Sequence, residues 1–336
     1  MKNLFFCLFI IFGIETYSQH TFSIVAVDSV TNEIGSAGAT CLSQEDGALY
    51  VSDIVLNVGA INTQAFWTTV NQNAARRQME AGLSSQEIID WLIDNDNSAQ
   101  GGNIRDRQYG IVDLNNGSPR SAAYTGVNNF DVKGQRTGAN YAIQGNILIS
   151  EEVLDDMETA FLNTDGALCE KLMASLQAAK RPGADARCLN AGISSASAYI
   201  RVAQPTDTDS GYGNLWLDIN TWLDSGEFNG DPIDEVQRKF DAFKTTLVSI
   251  DENIISKTKI YPNPTTGQFI LDVGDTKISK VELYNIVGQL QYEKVIKEEN
   301  SLYNLDISNL ENGLYVFRIW NKDSLISSHH VVHKID

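Results

Sequence analysis

Histidine, the side chain best suited to move a proton near neutral pH, occurs four times, at His20, His329, His330 and His333. The long stretch between His20 and His329 therefore offers neither a Ser-His-Asp triad nor a His-rich metal site. Gly192-Ile193-Ser194-Ser195-Ala196 has the outline of a nucleophile elbow, but its last glycine is missing and no catalytic histidine is at hand. Gln64, Asn140 and Asn146 carry carboxamides that could donate to an oxyanion, although a polar side chain on a strand is more often structural. Asp185 and Arg187 are spaced to form an ion pair near the site, although a surface pair is the commoner outcome. Asp207 and Asp209 in Asp207-Thr208-Asp209-Ser210-Gly211 alternate like calcium ligands. That loop has Tyr212 where an EF-hand needs glycine, and no glutamate at its twelfth position. No cofactor is expected.

Cysteine is sparse: Cys7, Cys41, Cys169 and Cys188. A Cys169–Cys188 disulfide is expected, because it closes a short loop between a helix and a strand and would stabilise by ~3 kcal/mol. Three buried thiols are the alternative. There is no CxxC pair on which to build a zinc site.

The elements that must position these residues come in groups. Thr21 to Asp28 and Glu33 to Cys41 read as a β-hairpin, and Asp53 to Asn62 as a further apolar strand. Helices are predicted over Thr69 to Ala81 and Gln86 to Ile93, the second opened by a capping box, Ser84-Ser85-Gln86-Glu87. Strands return at Tyr109 to Leu114, Ser121 to Tyr124 and Ala139 to Ile149. Two more helices end at Pro182-Gly183; strands follow at Ser197 to Val202 and Asn214 to Ile219, then a helix from Pro232 to about Val248. This order predicts an α+β fold with sheets layered between helices. From residue 259 onward only strands are read, at ~8–12-residue spacing, as in a small β-sandwich.

Lys2, the apolar run Leu4 to Ile14, and Thr16 with Ser18 read as a secretory signal cut after Ser18. A run of about 11 residues is too short to span a bilayer, and no later stretch is longer and as apolar. The expected organisation is a signal at 1–18, a working domain at 19–250, a linker at 251–258 and a terminal domain at 259–336. The net charge of −18 disfavours nucleic acid and anionic membranes as partners.

Two stretches resemble known families. Tyr261-Pro262-Asn263-Pro264 with Gly267, Val281 to Gln289 including Gly288, and Leu305 to Arg318 including Gly313 and Tyr315 resemble the type A sorting domain of the type IX secretion system. The resemblance implies recognition by the outer-membrane secretion machinery, and a secreted or cell-surface location. Thr21 to Asp28, Ile61 to Ala65, Asp106 to Asp113, Tyr141 to Leu148 and Gly183 to Arg187 resemble the domain-of-unknown-function 1028 family. That resemblance implies an αββα sandwich like that of N-terminal-nucleophile (Ntn) hydrolases, with Thr21 as candidate nucleophile. A threonine of that kind uses the chain's own α-amine as base. Here the expected cut leaves Gln19-His20 ahead of Thr21. Two functions stay open: an exported binding or interaction module without turnover, and an amidase or peptidase that uses Thr21 after N-terminal trimming.

Overall fold

The computed structural model describes residues 21–98, 101–255, 258–285, 289–298, 300–321 and 324–334. The expected signal segment, Gln19, His20 and Gly288 lie outside the described residues. The chain divides into two units, residues 1–240 and 241–336.

The first unit opens on the expected hairpin, β1 (Thr21–Val27) and β2 (Ile34–Thr40). The apolar run at 53–62 is not one strand but a second hairpin, β3 (Ser52–Val55) and β4 (Gly59–Ala65). Asn57 turns the chain between them at φ 62°. Asparagine is one of the few residues that enters this left-handed region at modest cost, so a turn fits inside an otherwise strand-like run. Helix α1 (Thr69–Glu80) is capped by Thr68, and α2 (Ser85–Asp94) by the full capping box of Ser84 and Glu87. Then come β5 (Arg107–Asp113), β6 (Arg120–Thr125), β7 (Gly134–Thr137) and β8 (Tyr141–Gly145). The helices α3 (Glu152–Asn163) and α4 (Leu168–Ala179) follow, then β9 (Ser197–Ala203) and β10 (Leu217–Trp222). Helix α5 (Pro232–Ile255) begins at Pro232, whose missing N–H costs nothing in a first turn, and runs past the expected Val248.

Six strands pair in the order β10-β9-β2-β1-β8-β7, and four in the order β3-β4-β5-β6. Helices α3 and α4 pack on the first sheet, α1 and α2 on the second, and the two sheets face each other. The layering is α/β/β/α, as the α+β grouping predicts. It explains why β1, β2, β4, β5, β8 and β9 are buried at every residue: one face meets helices and the other meets a sheet. Under α1 and α2, Ile61, Met79, Ile88, Leu92 and Ile111 form an apolar core. Each such side chain stabilises by ~1.5–3 kcal/mol on burial.

Between the sheets space is tight. A Cβ on Gly110 of β5 would run into the Gln144 carboxamide of β8. Gly110→Ala should therefore cost about 1–3 kcal/mol by overpacking, read as a lower midpoint in chemical denaturation with an unchanged slope. An unshifted midpoint would show that Gln144 has room to move.

The second unit holds strands β11 (Lys259–Tyr261), β12 (Gln268–Asp272), β13 (Lys280–Asn285), β14 (Leu290–Val295), β15 (Leu302–Asp306), β16 (Gly313–Asn321) and β17 (Ser324–His333). They form a three-stranded sheet, β11-β12-β15, and a four-stranded sheet, β14-β13-β16-β17. Phe269, Leu271, Val281, Leu283, Phe317 and Ile319 fill its core, with Phe269 edge-on to Phe317 at 5.7 Å. The YPNP segment is tied down by Asn263, whose Oδ1 accepts from Val332 N at 2.9 Å. Gly267 has φ 117° and backs onto the Ser308 backbone, where a Cβ would clash. Tyr315 is buried and donates to Glu311 O at 2.7 Å.

Candidate functional site

Thr21 starts β1, which lies inside the six-stranded sheet between β2 and β8. Its partner across β2 is Thr40, and Thr40 in turn faces Ser197 on β9. These three hydroxyl residues form a buried row on the face turned to the other sheet. The face is set by Ser23, two residues along from Thr21, which donates to Gln64 Oε1 of β4 at 2.7 Å. The Thr21 carbonyl accepts from Gln64 Nε2 at 2.9 Å and from Asn146 N at 3.2 Å. Thr21 is 1% exposed, and its Oγ1 meets no hydrogen-bond partner among the described residues. Ser197 Oγ is in the same position.

Around Thr21 lies a lattice of neutral amides. Gln64 Nε2 also donates to Gln108 Oε1 at 2.7 Å, and Asn146 Nδ2 donates to the same oxygen at 2.8 Å. Gln108 Nε2 reaches Gly145 O at 2.9 Å and Thr125 Oγ1 at 3.0 Å. Gln144 Nε2 donates to Ser23 Oγ at 2.6 Å. Almost every donor is committed, which stiffens this region. Satisfied amides of this kind carry no charge and are poor bases.

A charged pair sits at one side of the row. Asp185 is fully buried and accepts from Cys41 N at 2.8 Å. Arg187 Nη2 donates to Asp185 Oδ2 at 2.6 Å and to Thr40 Oγ1 at 3.1 Å. Of the two arrangements the sequence left open, the structure has the pair near Thr40 rather than on the surface: the carboxylate is buried and held by both backbone and guanidinium. Arg187 is carried on the 3-10 turn Ala186–Ala191, which also carries Cys188. Cys188 is bonded to Cys41, just past the end of β2, with Cα atoms 5.7 Å apart. This replaces the expected Cys169–Cys188 disulfide. Cys169 is buried in α4, one turn before Leu172, which lies over Gly35 at the opposite end of β2 from Cys41.

The other sequence candidates separate. Asn140 donates through Nδ2 to Val27 O at 2.8 Å, at the far end of β1 from Thr21, so it does not belong to the site. Asp207 Oδ2 accepts from Gln204 N and Trp216 N, each at 3.0 Å. Asp209 accepts from Gly211 N and Asn214 Nδ2, each at 2.8 Å. These carboxylates organise their own loop and hold residues up to Trp216 out of β10, which starts at Leu217 rather than Asn214. No cluster of three or more His, Cys, Asp and Glu able to hold a metal occurs among the described residues. Sequence reasoning missed Ser23, Thr40, Gln108 and Gln144. Their one signal is polar residues two apart in otherwise apolar strands, as in Asn62 with Gln64 and Gln144 with Asn146.

Residues 21–222 match the model of the Family of unknown function (DUF1028). The chain is a DUF1028 protein. Its DUF1028 domain is similar to the crystal structure of a family member from Silicibacter pomeroyi, at 25% identity and a TM-score of 0.51. That likeness covers 66% of this chain and 88% of the other. Behind the DUF1028 domain, residues 259–333 match the Secretion system C-terminal sorting domain. The protein is therefore secreted or displayed at the cell surface through the type IX system. No helix among the described residues is long and apolar enough to cross a membrane. Among curated proteins, the chain is similar to the ulvan lyase NLR42 of Nonlabens ulvanivorans, 28% identical over 83 residues. The match spans 25% of this chain and 15% of the lyase.

Proposed function

We propose that the DUF1028 domain, in the exported chain, is a binding or interaction module without turnover. The supporting observation is the Thr21 hydroxyl, which is buried and meets no base among the described residues. A hydroxyl with no proton acceptor in reach is a weak nucleophile. The neighbouring amides are spent on one another, and the Arg187 guanidinium is engaged by Asp185 and Thr40.

A second reading rests on where Thr21 stands. It is the first residue of an interior strand, with its hydroxyl toward the opposing sheet and its carbonyl pinned by Gln64 and Asn146. Cleavage after His20 would turn its backbone nitrogen into an amine, the base an N-terminal nucleophile needs. The domain would then be an amidase or peptidase of the Ntn type.

Intact mass and N-terminal sequencing of the exported protein, with a β-lactone acylation probe, separate the two. The module predicts one or more residues ahead of Thr21 and no adduct. A chain that begins at Thr21 and gains an adduct, lost in Thr21→Ala, would overturn it.

A further inference from the structure

A second polar site lies at the edge of the sandwich, away from Thr21. A cleft of about 400 Å³ opens there, lined by Ser52, Asp53, Asn73, Arg76, Arg201 and Tyr212 among others. Both guanidinium groups are already neutralised. Arg76 Nε donates to Asp53 Oδ2 at 2.9 Å, and its other nitrogens reach Ile54 O and Glu80. Arg201, 1% exposed, donates to Asp218 at 3.2 Å and to Ser210 O at 2.8 Å. An anion would have to displace a carboxylate from one of them. The cleft therefore favours an uncharged ligand.

The aromatic ring and the polar lining say what kind. Tyr212 exposes 43% of its surface, yet its ring is fixed. The Arg201 guanidinium lies 4.9 Å from the ring centroid, and the phenol donates to Leu49 O at 3.4 Å. A pre-oriented aromatic ring loses little entropy when a flat apolar surface stacks on it. Asp53 and Arg76 line the same cleft with a carboxylate and a guanidinium. A pyranose fits both parts: a C–H face to stack, and hydroxyls that donate to a carboxylate while accepting from arginine.

We infer that this cleft binds a neutral saccharide, stacked on Tyr212 and hydrogen-bonded through Asp53 and Arg76.

Calorimetric titration of the exported chain with cellohexaose, mannohexaose and chitohexaose tests this, with hexagalacturonate as the anionic probe. At least one neutral hexasaccharide should bind one-to-one, and hexagalacturonate should not. Tyr212→Ala should weaken binding at least tenfold. Asn73→Trp should do the same by filling the mouth from an exposed helix position, which separates loss of the site from loss of the fold. Gln86→Ala, on α2 outside the cleft, should bind like the parent. The proposal is overturned if no neutral hexasaccharide binds, if hexagalacturonate binds more tightly, or if both cleft variants bind like the parent. None of these outcomes depends on the peptide bond before Thr21, so this site and the Thr21 readings stand or fall separately.

Discussion

Replacing Cys41 or Cys188 with serine should lower the melting temperature of the DUF1028 domain by roughly 10 °C or more. The disulfide closes a loop with a sequence separation of 147, the long-loop limit in which chain-entropy stabilisation reaches about 5 kcal/mol. At a few degrees per kcal/mol for a domain of this size, the shift is easily read by calorimetry. The consequence is also local. The bridge ties the end of β2 to the turn that carries Arg187, and Asp185 accepts from Cys41 N itself. Loss of the bridge should loosen the Asp185–Arg187–Thr40 cluster, seen as faster amide exchange at Cys41 and Arg187. Cys169→Ser is the control. Peptide mapping should still find the Cys41–Cys188 bridge in that variant, with a melting temperature closer to the parent. A Cys169→Ser chain that lost its disulfide would refute the pairing. Because the bridge needs an oxidising compartment, a chain retained in the cytoplasm should resemble the Cys41→Ser variant.

The second large effect is expected at Arg107. This side chain is 1% exposed and paired with Asp96, also buried, at 3.1 Å. It further donates to Asn97 O at 3.0 Å and Gly101 O at 2.9 Å, and also to Phe66 O. One guanidinium thus satisfies the loop after α2 and the end of β4 together. Arg107→Met should destabilise by about 3–5 kcal/mol, because Asp96 is left as a buried charge without its partner. Asp96→Asn added to that variant should restore a good part of the loss, since the cost lies in the uncompensated charge rather than in missing contact area. A double-mutant cycle by urea denaturation checks both numbers. Strictly additive losses would show that the pair does not act as a unit.

Several features are written in the sequence because they depend on neighbours along the chain. The capping box of Ser84 and Glu87 needs residues three apart, and Pro232 needs only to stand in a first turn. The hairpin of β1 and β2, two short runs joined by a turn, and the spaced strands of the sorting domain are local in the same sense. The export route is legible for the same reason: its motifs are short runs such as Tyr261 to Gly267.

The pairing of Cys41 with Cys188, and the gathering of Gln64, Gln108 and Gln144 into one lattice, were decided in three dimensions. Three cysteines outside the expected signal allow three pairs, and the shortest loop loses because α4 sets Cys169 toward the other end of β2. Strands buried on both faces give no amphipathic stripe from which to tell a buried glutamine from a surface one. Asn140 and Gln64 look alike as sequence candidates, but the pairing of β8 with β1 puts one at Val27, and the packing of β4 across the sandwich puts the other at Thr21. The sequence names Thr21 as a hydroxyl at the start of a strand. Only the packing of two sheets around it buries that hydroxyl away from any base among the described residues, because bases and donors there come from strands far apart in the chain.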